Sequence, residues 1–190
     1  MTKLAIFASG SGSNAENLIK YFDKHNKIEC KLILTNNAEA GVILRGQKLN
    51  VPVVVFSRTM FSKSDEVVNI LKSLEIDWVV LAGFLWLIPE NLIKAFNNKI
   101  VNIHPALLPK YGGKGMWGHH VHQAVKNNNE TETGITIHLV NEHYDEGKVI
   151  FQSKCEVLPN DTPETIAEKV HWLEYEHFPV VVEKLINGAN

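Results

Sequence analysis

The sequence predicts an α/β protein built on a doubly wound, mostly parallel open sheet with an antiparallel C-terminal extension. Short β-branched runs recur through the first hundred residues and read as continuous apolar stretches, the pattern of strands covered on both faces. Amphipathic helical stretches stand between them, so strands and helices alternate as in a parallel sheet with crossover helices. After residue 103 the pattern changes to strands that alternate apolar and polar residues on either side of a turn, which predicts an antiparallel pair.

The strands of the first part are "KLAIFA" (3–8), "KLILT" (31–35), "VPVVVF" (51–56), "DWVVLAG" (77–83) and "KIVNI" (99–103). Helical periodicity covers roughly 13–25, 39–50, 62–75 and 89–97. Further on, "VHQAVKNN" (121–128) reads as a helix, and "TGITIHLV" (133–140) and "KVIFQSKCEV" (148–157) read as strands joined by the turn "NEHYDEG". A long terminal helix starts where Asp161 or Thr162 can cap it, with Pro163 in the first turn and Glu164 close behind. Pro179 inside it predicts a bend.

Composition narrows the function. A chain of 190 residues, 45% apolar, 21% charged and 8% aromatic, is expected to form one domain with a substantial core. It is expected to comprise an N-terminal half of about 1–100 and a C-terminal half of about 101–190. A net charge of −2 provides no basic field for duplex nucleic acid, though it leaves room for a local anion site. No apolar run approaches the roughly 18 residues of a membrane span, and "MTKLAIFASGSG" has too short an apolar core for a signal peptide. Cys30 and Cys155 belong to no C-x-x-C pattern and are expected to be free thiols of a soluble cytoplasmic protein.

In an open α/β sheet, ligands bind outside the carboxyl ends of the strands, where the strand order reverses. The first such end carries "SGSGSN" (9–14), a flexible turn opening the first helix. Gly12, Ser13 and Asn14 there offer donors to a phosphate at a positive helix end. The P-loop pattern is missing. Gly10, Gly12 and Ala15 satisfy the dinucleotide fingerprint, but Asn36 and Asn37 stand where its ribose-binding acid belongs. A phosphate site is the favoured reading, with a dinucleotide site and a plain tight turn as the alternatives.

The last parallel strand ends in "VNIHP". Asn102 and His104 are two apart on a strand and share a face. An amide beside an imidazolium suits a developing oxyanion, and histidine passes protons near neutral pH. A hydrogen-bonded core histidine is the competing reading. A zinc reading would join His104 to His119, His120 or His122, but no ligand spacing supports it and no metal is expected. Asp145 in the "NEHYDEG" turn is the candidate acid partner of His104, with Glu142 and Glu146 as competitors. The glycines of "KYGGKGMWGHH" suggest a mobile loop, 110–120, and His119, His120 and His122 are read as solvated.

"SGSGSN", "VVLAGFLWLIP" (79–89), "VNIHPALLPKY" (101–111) and "GITIHLVNEHYDEGKVI" (134–150), in this order and spacing, resemble the phosphoribosylglycinamide formyltransferases, folate-dependent enzymes of purine biosynthesis. The resemblance runs over nearly the whole chain and implies a Rossmann-like formyltransferase fold. It implies formyl transfer from 10-formyltetrahydrofolate, as co-substrate, to the amine of phosphoribosylglycinamide. Asn102 and His104 would stabilise the tetrahedral oxyanion, Asp145 would raise the pKa of His104, and Gly12, Ser13 and Asn14 would hold the substrate phosphate. Glu174 would contact the ribose hydroxyls, and Leu85, Trp86, Leu87, Ile88 and Asn102 would contact the folate. The C-terminal half would then carry catalysis and folate binding. Trp86 stands where the family often has arginine, and no residue of "FSKS" (61–64) is assigned to another folate-contacting arginine of the family. Formyltetrahydrofolate deformylase and a non-catalytic phosphosugar-binding domain are the alternatives, a tRNA formyltransferase being disfavoured by the chain's length. Monomer and homodimer both stay open.

Overall fold

The computed structural model describes residues 1–188. The first strands and helices are β1 (Thr2–Phe7), α1 (Ser13–Phe22), β2 (Ile28–Thr35), α2 (Val42–Lys48), β3 (Val53–Val55), α3 (Arg58–Ser62), α4 (Glu66–Ser73), β4 (Trp78–Leu81) and α5 (Glu90–Ala95). They are followed by β5 (Ile100–His104), α6 (His119–Asn127), β6 (Glu132–Leu139), β7 (Val149–Glu156) and α7 (Pro163–Ile186). Strand order is β3-β2-β1-β4-β5-β6-β7. The β1/β2, β1/β4 and β2/β3 pairs are parallel, and β6/β7 is antiparallel. The order therefore reverses between β1 and β4, as a doubly wound sheet requires. The chain divides into two compact units, Met1–Val101 and one beginning at Asn102.

In the first unit, Leu4 to Ala8 of and after β1 are fully buried, which is why that stretch reads as one apolar run. Each large aliphatic side chain so buried contributes about 1.5–3 kcal/mol. Phe7, Phe56, Phe61 and Phe84 form one aromatic cluster, with ring centroids 5.1–6.3 Å apart. The helix expected over 62–75 is the shorter α4, and an unforeseen helix, α3, precedes it. Ser57 caps α3 by accepting from the Met60 amide, and α3 ends at Ser62. The Ser64 hydroxyl then bonds both the Met60 carbonyl and Glu66, turning the chain before α4 begins. Local side-chain bonds of this kind compete with helix continuation.

In the second unit, β6 and β7 form the expected hairpin. α7 begins with a capping box between Thr162 and Thr165 with Pro163 in its first turn, as its sequence signal predicts, and continues through Pro179. Its buried stripe runs Ile166, Val170, Glu174, Phe178 and Val182, so a carboxylate sits in a row of apolar side chains at helical spacing. Position 174 is the departure from pattern in that row.

Candidate functional site

The first unit carries its candidate residues at the switch point. Ser9, just beyond β1, donates its amide to the Gly83 carbonyl beyond β4 at 3.0 Å. Its hydroxyl accepts from the Leu85 amide at 3.0 Å and donates to Asn36 Oδ1 at 2.7 Å. Asn36, standing where a dinucleotide site would place its acid, is thus used to position the turn. Gly12 is required there on two counts. Its φ is 76°, and a Cβ would lie 2.4 Å from Val42 Cγ2. Gly12 caps α1 with no side-chain acceptor, and the positive N-terminal end of a helix favours an anion.

Beyond β4, Leu85 and Leu87 are exposed and Trp86 is half-buried, whereas the Ile88 side chain is buried. The guanidinium of Arg58 lies over the Trp86 ring, 4.5 Å from its centroid. Sequence reading looked for a folate-contacting arginine at 61–64 and overlooked Arg58. Arg58 stands three residues before that stretch, at the start of the unforeseen helix α3.

The second unit brings Asn102, His104 and Asp145 together. His104 is 4% exposed, with Nδ1 3.6 Å from Asp145 Oδ2 and Nε2 donating to the Tyr111 carbonyl at 2.7 Å. That carbonyl is held in place, because the Tyr111 hydroxyl donates to Glu130 at 2.8 Å and accepts from Asn128 at 3.0 Å. The Gly113 amide donates to Asp145 Oδ2 at 2.9 Å. The loop expected to be mobile is thus fastened to both acid and imidazole at its beginning. Glu142 and Glu146 are exposed, which leaves Asp145 as the acid of this turn that meets His104.

His138 is a member that sequence reading missed. Its Nδ1 donates to the Leu139 carbonyl at 2.9 Å, so its Nε2 accepts from Asn102 Nδ2 at 3.1 Å. The same Nε2 is 3.6 Å from Asp145 Oδ1, beyond hydrogen-bonding distance, and Asn102 is its partner. One N–H of the Asn102 amide is fixed in this way, and the other stays available. Two residues along the same face of β6, the Thr136 hydroxyl accepts from the Leu108 amide and donates to the Ala106 carbonyl, pinning the turn after His104. A polar Thr-x-His on one face of an otherwise apolar strand was the available signal.

Burial pushes His104 below the ordinary histidine range, outweighing the Asp145 charge and the Tyr111 carbonyl, which both push it upward. Asp145 therefore acts in the direction expected of it, but the net shift is downward. Burial raises the Asp145 carboxyl, but its net shift is below the usual carboxylate range, with the Gly113 amide donating to it. The resting pair is a neutral imidazole beside a carboxylate.

Glu174 is 9% exposed and its Oε2 lies 3.0 Å from His171 Nδ1. His119 and His120 are exposed, as expected, but His122 is not solvated: it lies on α6 and is 6% exposed. The helix starts at His119, earlier than its sequence pattern suggested, and His122 is among its buried residues. Among the described residues no group of three or more His, Cys, Asp or Glu side chains could hold a metal ion. Nor is any helix long and apolar enough to cross a membrane.

The formyl transferase family model matches residues 2–182. A chloroplastic phosphoribosylglycinamide formyltransferase of Arabidopsis thaliana is 41% identical over 186 residues, 95% of this chain and 64% of the plant protein. The chain thus spans under two thirds of that relative. Phosphoribosylglycinamide formyltransferase of Bacillus subtilis is 33% identical, the alignment covering 100% of this chain and 97% of the bacterial one. The crystal structure of the Bacillus halodurans phosphoribosylglycinamide formyltransferase superposes with a TM-score of 0.88 at 35% identity, covering 100% of this chain and 97% of that one.

Proposed function

The chain belongs to the phosphoribosylglycinamide formyltransferase family, and on that premise we propose that it transfers a formyl group from 10-formyltetrahydrofolate to the amine of 5-phosphoribosylglycinamide in purine biosynthesis. The observation that carries the reading is the approach of Asp145 to His104, 3.6 Å apart in space though distant in sequence, with Asn102 tied into the same cluster through His138. A non-catalytic phosphosugar-binding domain would need the glycine turn without this cluster.

The co-substrate supplies a formyl carbon open to attack by an amine. Leu85, Leu87 and Trp86 fit it with exposed apolar and aromatic surface, and the free N–H of Asn102 fits its formyl oxygen. Asn102 donates to that oxygen as charge gathers on it. Neutral His104 accepts the proton that the attacking amine loses, and the imidazolium so formed is stabilised by Asp145. From there His104 is a donor, first beside the charged oxygen and then toward the departing nitrogen. The Tyr111 carbonyl keeps Nε2 engaged and so leaves Nδ1 as the working atom. Gly12, Ser13 and Asn14 hold the substrate phosphate, and Glu174 its ribose hydroxyls. A cytoplasmic setting belongs to the same proposal and is supported by two free cysteines, one of which, Cys30, has its thiol pushed up to about 12 by burial.

The test is formyl transfer by the purified protein, run beside formate release without the amine. Asn102→Ala and His104→Ala should each lower kcat by about 10²–10³-fold. Near-normal transfer in both variants would overturn the residue roles, and formate release that ignores the amine would overturn the transferase reading.

A further inference from the structure

His122 is the buried histidine that the reaction outlined above does not use. Its Nδ1 is sealed from solvent and has no hydrogen-bond partner. Buried polar atoms are nearly always paired, so a native exception points to a partner that arrives from outside. The residue lies in the first turn of α6, which packs on α7. The groups that act on it electrostatically are the Glu174 carboxylate, His104 of the cluster described above, and His119. Glu174 acts on His104 in the same way, so one buried carboxylate serves both imidazoles.

These neighbours decide what could reach Nδ1. An anionic group would be repelled by Glu174. A cationic amine would be repelled by His104 whenever that imidazole is charged. A neutral hydroxyl has neither difficulty: it donates to the carboxylate and offers the imidazole both a lone pair and a proton. Two adjacent hydroxyls fit a carboxylate and a ring nitrogen better than one.

We propose that His122 is a substrate-binding residue whose Nδ1, together with Glu174, forms a subsite for the vicinal sugar hydroxyls of the phosphoribosyl substrate and selects ribose over 2-deoxyribose. The inference rests on the formyl-transfer reading, which places a ribose beside Glu174. A hydrogen bond made to a polar site of this kind corresponds to about 10- to 100-fold in affinity.

Steady-state kinetics with phosphoribosylglycinamide and its 2-deoxyribosyl analogue provide the test. The unaltered protein should prefer the ribosyl substrate by at least about 10-fold in kcat/KM. His122→Leu should lose most of that preference and raise KM for the ribosyl substrate by about 10-fold, with kcat and the KM for 10-formyltetrahydrofolate nearly unchanged. His122→Asn, whose amide reaches about as far as Nδ1, should restore much of the preference. A merely structural histidine would change kcat and thermal stability together and leave the ribose preference intact. An unaltered protein that accepts both sugars equally overturns the inference without any variant, as does a His122→Leu enzyme that keeps its selectivity. If the unaltered protein forms no formylated product from either sugar, it is the parent reading that has failed.

Discussion

Asn102, His138, Asp145 and His104 restrain one another, so changing one side chain alters what the others can do. Asn102 is aimed by a histidine whose tautomer is set by the Leu139 carbonyl, and Asp145 is shared between the Gly113 amide and the near side of His104. The Asp145 charge raises the pKa of His104 against a larger downward effect of burial. Asp145→Asn removes the raising influence while keeping the shape. The His104 pKa should therefore fall further, and an acid limb of kcat that reports His104 should move to lower pH. The rate on the plateau should also drop by at least about 10-fold, because the imidazolium formed during proton transfer loses its counter-charge. Proton NMR titration of the His104 ring in both proteins, set beside the pH–rate profile, checks this. A ring that titrates at unchanged pH in the variant would mean that Asp145 does not act on it. Asn102, His104 and Asp145 were legible because each is a polar residue at a strand end or turn of an otherwise apolar pattern. His138 was not singled out, because a lone histidine inside a strand is more often a core residue, and only its contact with Asn102 separates the two cases.

At the scale of elements, the turn between β6 and β7 carries Asp145 and is shaped by its glycine. Asp145 takes a left-handed φ of 57°, and a Cβ on Gly147 would fall 1.6 Å from the Leu139 carbonyl oxygen. That oxygen is the one His138 bonds, so a displaced turn disturbs Asp145 and His138 together. Gly147→Ala should cost about 1–3 kcal/mol in urea unfolding, as overpacking does, and should lower kcat by more than 10-fold through misplacement of both groups. A stable variant with full activity would show that the hairpin does not set the geometry. The strands of this region were readable from alternation alone, and the cap of α7 from its Thr-Pro signal. The break between α3 and α4 was not, since it depends on Ser64 bonding back to Met60 and forward to Glu66, a choice that periodicity does not contain. Arg58 was overlooked for the same reason, because its place over Trp86 follows from that extra helix.

For the whole molecule, the buried histidines make function and acid stability parts of one balance. His104 and His122 are both shifted downward, chiefly by burial, so the folded chain holds them neutral at a pH where an unfolded chain would protonate them. Stability rises with pH wherever the unfolded state binds more protons. With unfolded histidines titrating near 6.5, stability should be level above that value and fall as the pH drops below it, continuing until the folded-state pKa of each residue is passed. Each histidine contributes a slope of at most about 1.4 kcal/mol per pH unit across that window. Asp145 adds its own loss at lower pH, since its carboxyl is depressed and its contribution disappears only as it protonates. Two successive losses are therefore expected, histidine first and carboxylate second. Replacing His122 with Leu removes one titrating group and one unpaired buried nitrogen, so the first loss should shrink while stability near pH 7.5 stays equal or increases. Urea unfolding from about pH 7.5 down to pH 4 measures both. A His122→Leu protein with the same slope between about pH 6.5 and 5 as its parent would show that this imidazole is not held neutral by the fold.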